Sequence, residues 1–117
     1  MSPAERVDAE DEIAREILAV HEESYGTGAS AIHAHVLEDF TLVVVDVTLT
    51  RAEETMLDAG KKQAVTAMRE AFQEAIGATF IAIVERATGR RVDSFSSYMD
   101  VDASPMYSVE LFRHAPH

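Results

Sequence analysis

The run Phe40-Thr41-Leu42-Val43-Val44-Val45-Asp46-Val47-Thr48-Leu49-Thr50-Arg51-Ala52-Glu53 decides how this chain folds. Its opening part is rich in β-branched residues, which predicts a strand over residues 40–49. A strand with one wet face alternates apolar and polar side chains, but Leu42-Val43-Val44-Val45 followed by Val47 is apolar on both faces. The second face therefore needs a cover, which a small domain with few helices can draw from its own elements or, as the favoured expectation, from a second copy of the chain. Thr50-Arg51-Ala52-Glu53 then reads as a capping box. The Thr50 hydroxyl takes the Glu53 amide and the Glu53 carboxylate reaches back, so a helix starts at Arg51.

Upstream of this strand, Ile32, Ala34 and Val36 alternate with His33, His35 and Leu37, predicting a partner strand over residues 32–38 with Glu38-Asp39 as the hairpin turn. Before that, Ser2 is a candidate N-cap, Pro3 suits the first helical position and Glu5 stands three residues after the cap. Ala9, Ile13, Ile17 and Val20 then form one narrow apolar stripe of an amphipathic helix, which Tyr25-Gly26-Thr27-Gly28 ends. Downstream, Gly60 kinks or ends the helix begun at Arg51. Residues 61–87 are expected as the longest element, on the stripe Val65, Met68, Phe72, Ile76, Phe80, Ile83 and Ala87. Thr88-Gly89 closes it, and two further strands over residues 91–100 and 106–113 follow, with Pro105 in the turn between them. The expected fold is an α+β two-layer sandwich in α-β-β-α-β-β order, with one mainly antiparallel four-stranded sheet packed by helices and a single domain over residues 1–117.

Composition narrows the function classes. Asp and Glu number 21 against 10 Lys and Arg, so at a net charge of −11 neither a phosphate backbone nor an anionic bilayer is an expected partner. Residues 1–58 hold 14 of the acids and 3 of the bases, which places the acidic field in the first half. The acids of residues 5–23 read as a solvated face, with a docking surface for a basic partner as the sharper alternative. The absence of Cys removes disulfides, thiolate zinc sites and a Cys nucleophile, and fits a reducing compartment. Met1-Ser2-Pro3-Ala4-Glu5 does not read as a signal peptide and no apolar run nears the ~20 residues of a membrane span, so a cytoplasmic chain without membrane insertion is expected.

No catalytic constellation and no cofactor motif emerges. The strongest chemical candidate is His33-Ala34-His35, because residues two apart on a strand point the same way and two imidazoles so placed suit zinc or copper, with Asp46 or His21 as a third ligand. Two polar residues on the wet side of an edge strand is the simpler reading. His21-Glu22-Glu23 lacks the second His of a zincin helix, since position 25 is Tyr25. His114 and His117 read as tail residues. Gly26-Thr27-Gly28 follows a helix instead of preceding one, which favours capping over phosphate binding. Ser94, Ser96, Ser97 and Ser104 sit in no nucleophile motif, and Asp100, Asp102 and Ser104 fail the calcium-loop pattern at Met106 and Leu111. Glu53 is accounted for by the cap, and Glu54 points elsewhere on its helix.

Taken in order, Tyr25-Gly26-Thr27-Gly28, Leu42-Val43-Val44-Val45, Leu49-Thr50-Arg51-Ala52-Glu53, Arg69-Glu70-Ala71-Phe72, Thr88-Gly89-Arg90-Arg91-Val92 and Val109-Glu110-Leu111-Phe112 resemble the MpsC-like family over about residues 13–113. The chain departs from the family pattern at Ala29 and Arg51, where Pro is usual, and at Val47, where Gly is frequent. These changes affect turn stiffness and strand packing more than chemistry. The resemblance implies a small soluble accessory of a sodium-translocating, membrane-potential-generating system, and it carries over no catalytic residue. Together these readings predict a non-enzymatic binding domain that forms a homodimer and serves a sodium-translocating or bicarbonate-related membrane complex through a protein partner. The alternative is a metal or small-ligand protein, possibly an enzyme, built on His33, His35 and Asp46.

Overall fold

The computed structural model describes residues 1–26 and 31–116. In chain order the elements are α1 (Pro3–Tyr25), β1 (Ala31–Val36), β2 (Phe40–Asp46), α2 (Arg51–Asp58), α3 (Lys62–Ala75), α4 (Gly77–Thr88), β3 (Val92–Asp100) and β4 (Tyr107–His114). The strands form one antiparallel sheet in the order β1-β2-β4-β3, so the doubly apolar strand β2 is central.

Local signals set the helix starts. Ser2 and Glu5 cap each other's backbone at the head of α1, and Thr50 and Glu53 do the same at α2. Gly26 ends α1 in the left-handed conformation at φ 73°, which costs a residue without a Cβ little. The proposed role of Thr27 and Gly28 in that turn lies outside the described residues.

The core is the helix side of the sheet. Ile13 and Ile17 of α1, Phe80 and Val84 of α4, Val43 and Val45 of β2 and Phe112 of β4 are all fully buried in it. Each such side chain contributes roughly 1.5–3 kcal/mol on leaving water, so this cluster dominates stability. Ile32, Ala34 and Val36 of β1 pack against or within the cluster, whereas His33 and His35 face the other way and are exposed.

Two expectations fail here. Residues 61–87 are not one element. The helix breaks at Ile76 into α3 and α4, which leaves the 23-residue α1 as the longest helix described. Gly77 opens α4 close against β3: a Cβ there would sit 3.0 Å from the Phe95 ring, tighter than side chains usually approach. The buried face of α3 also differs from the expected one. The buried side of α3 is Val65, Arg69 and Gln73, while Met68 and Phe72, expected in the core, are 44% and 37% exposed.

Nor is the acidic first helix simply solvated. Glu10 accepts the Val36 amide at 2.9 Å, and Glu16 pairs with Arg86 at 2.8 Å, so two of its acids tie α1 to β1 and α4.

Candidate functional site: a sealed polar cluster and an open sheet face

Polar side chains collect beneath α3. Arg69 grips Glu53 with two hydrogen bonds of 2.6 Å, from Nε to Oε2 and from Nη2 to Oε1, and both residues are 2% exposed. Arg69 Nη2 also donates to the Thr48 carbonyl at 3.2 Å. Glu53 therefore serves two structures, since its Oε1 still accepts the Thr50 amide at 2.8 Å. Burial alone would raise the Glu53 pKa, but the hydrogen bonds from Arg69 and Thr50 outweigh it and hold the carboxyl below its ordinary range. The bidentate fork suits Arg and would not suit Lys.

The guanidinium lies 4.1 Å from the centre of the Tyr25 ring, a cation–π contact that links α3 to the end of α1. Tyr25 packs on Phe72 and His21 at ring separations of 4.9 and 5.1 Å. The Gln73 side-chain amide donates to His21 Nε2 at 3.3 Å, which assigns the ring proton of neutral His21 to Nδ1. Burial, reinforced by the nearby Arg69 charge, pushes the His21 pKa down to about 4, so the imidazole is neutral at physiological pH.

Glu110 lies on the same side of the sheet, in the central strand β4 and fully buried. Its Oε1 accepts from the Ser108 hydroxyl at 3.3 Å, and Ser97 supplies a second hydrogen bond. Among the described residues Glu110 Oε2 has no hydrogen-bond partner, and neither do Gln73 Oε1 and the Tyr25 hydroxyl. Burial pushes the Glu110 pKa up to about 7, against the smaller opposing effect of the two serines. The crevice above, lined by Val47, Arg69, Gln73, Ser97, Met99 and Ser108, has no room for a water. These groups are shifted as catalytic groups often are.

A second buried histidine corrects the tail reading. His114 is the last residue of β4 and 4% exposed. Its Nε2 lies 2.7 Å from the Thr41 hydroxyl and its Nδ1 3.4 Å from the Arg91 carbonyl, so Nδ1 donates and Nε2 accepts. Burial lowers its pKa. His117 lies outside the described residues.

The predicted metal candidates fall on the opposite face. Register pairs His33 with Val44 and His35 with Leu42, and Asp46 is two residues along β2 from Val44, so His33, His35 and Asp46 share the side of the sheet away from the helices. His21 is not available to them, because α1 packs on the other side. Among the described residues no three His, Asp or Glu side chains gather closely enough to hold a metal ion. The same face presents Leu42 and Val44 of β2 and Val109 and Leu111 of β4, all half-buried, with no helix or strand among the described residues packed over them.

The description "Na+-translocating membrane potential-generating system (MpsC)" belongs to a family model that matches residues 5–113, nearly the whole chain. The chain belongs to the MpsC family. Neither the curated proteins nor the solved structures contain a match to it. The MpsC description names a membrane system, while no helix among the described residues is long and apolar enough to cross a membrane.

Arg69, Gln73, Glu110 and His114 escape a reading of the sequence alone. A usable signal existed for the first two: with Val65 they stand at successive spacings of four on α3, the spacing of a single helix face. Glu110 had none, because Val109 and Leu111 beside it are the residues that alternation would bury.

Proposed function

We propose that this MpsC-family chain is a non-enzymatic, homodimeric accessory or regulatory subunit that works in the cytoplasm by binding a membrane-embedded partner of a sodium-linked, membrane-potential-generating system. The family match over residues 5–113 carries the link to that system. The uncovered apolar face of a central strand pair supports homodimerisation, since an antiparallel sheet with one wet face normally turns polar residues outward. The sealing of the titratable cluster beneath α3 supports binding over catalysis, because a general acid or base must reach its substrate.

Deleting the gene in its native cell and reading membrane potential with a voltage-sensitive dye in sodium medium tests this reading. The expected result is a depolarised cell restored by the intact gene. An unchanged potential overturns the accessory role.

A further inference from the structure

The open face of the sheet carries a pattern that names its own partner. Two apolar rows cross it. Leu42 of β2 and Leu111 of β4 are direct cross-strand neighbours, flanked by His35 and Ser96, and the next row is Val44 and Val109, flanked by His33 and Tyr98. The charges stand at opposite ends. Arg113, exposed, lies in the row of Phe40, while Asp46 and Asp100 lie in the far row on either side of Tyr107.

From this pattern we infer that the open face binds the same face of a second copy of this chain, about a two-fold axis that runs across the strands between the leucine and valine rows. Such an axis reverses strand direction and keeps strand order, so each strand overlies its twin. Leu42 and Leu111 then rest on the partner's Val44 and Val109. Tyr98, a 60% exposed ring, falls over the partner's Ser96, large against small. Arg113 falls over the partner's Tyr107, between two carboxylates. A two-fold axis along the strands would instead set the row of Arg113 against itself and the row of Asp46 and Asp100 against itself.

Charge elsewhere favours the same arrangement. The net charge is −11 and the acids of α1 lie on the helix side of the sheet, so two copies meeting through the open face keep those acids apart. Sheets stacked this way sit ~10 Å apart with their strands rotated by about 30°. The inference rests on the homodimeric reading above and adds to it the surface and the orientation.

A charge swap in the full chain, followed by analytical ultracentrifugation, tests it. Arg113→Glu places a third carboxylate between the partner's two and is expected to weaken self-association by about tenfold or more. Asp46→Arg, at the other end, is expected to weaken it in the same direction. Mixing the two variants is the decisive step: one end of the mixed dimer is native and the other regains an opposite-charge pair, so heterodimers should form with near wild-type affinity. Circular dichroism checks folding, and Tyr98→Arg, at an exposed position, gives a second probe of the same face. A dimer indifferent to these changes, a mixture that fails to restore pairing, or a dimer dissolved instead by Met68→Lys on α3 would overturn the proposed face while leaving the homodimeric reading intact. A wild-type chain that stays monomeric would overturn both.

Discussion

Arg69→Met is expected to destabilise the fold by about 3–5 kcal/mol, because it strands the Glu53 carboxylate in a buried site with its strongest partner removed. The loss is a large part of the roughly 5–15 kcal/mol that holds a domain folded. Desolvation makes the effect asymmetric. Glu53→Gln preserves an acceptor for the Thr50 amide yet leaves the guanidinium buried without its counter-charge, so it should also be costly. The double variant Arg69→Met with Glu53→Leu buries no charge and should recover much of the loss, apart from about 1 kcal/mol for the broken cap. Urea unfolding of the three variants measures this directly. A loss under about 1 kcal/mol for Arg69→Met would place the pair among solvent-screened surface bridges and contradict its role as the joint between α2 and α3.

The second large effect is a change in pH dependence. Glu110 has its folded pKa raised to about 7, so the folded protein keeps a proton that the unfolded chain releases above its ordinary value near 4.5. Stability from this group is complete at acid pH and falls as pH rises through that window, by about 3 kcal/mol in total. His21 has the opposite sign. Its folded pKa is lowered to about 4, so its contribution is present above 6.5 and is lost as pH falls towards 4. The two slopes oppose each other between about 4.5 and 6.5, and the wild type should show a flatter profile than either group alone would impose. His114, also lowered by burial, adds to the acid-side loss.

Glu110→Gln removes one slope. Relative to wild type it should gain stability steadily from about pH 4.5 to 7 and hold that gain above. His21→Gln should expose the falling limb due to Glu110 over the same range. Thermal unfolding across pH 4–8 reads both, and a Glu110→Gln difference curve that is flat with pH would contradict a buried, protonatable carboxyl.

The parts of this fold that were legible in sequence are those set by neighbours a few residues apart. Ser2 with Glu5 and Thr50 with Glu53 announce two helix starts because a capping box closes within three residues. The valines of β2 announce a strand that is apolar on both faces, because period-two alternation fails there. What was not legible depends on contacts made across the chain. Where α4 begins, Gly77 meets Phe95, some twenty residues away on another element. Arg69 reads as a surface residue until α2 folds back and Glu53 arrives sixteen positions upstream.

At the candidate site the sequence showed the exposed polar groups and missed the buried ones. His33, His35 and Asp46 do share one side of the sheet, as strand alternation requires, but the strongest pKa shifts gather on the other side, beneath α3. Glu110 escaped notice because its neighbours Val109 and Leu111 occupy the outward positions that polar residues usually take. That inversion of β4, acid inward and aliphatic outward, is one more sign that the outward face is not built for water.

Native mass spectrometry of the wild-type protein, purified without a chelator, tests the central claim most directly, since it reports subunit number and any retained mass together. A bare species at twice the 12.9 kDa chain mass is the predicted result. A monomer at every concentration would contradict homodimerisation, and a stoichiometric bound metal lost in His33→Ala would contradict the reading of this face as a protein interface.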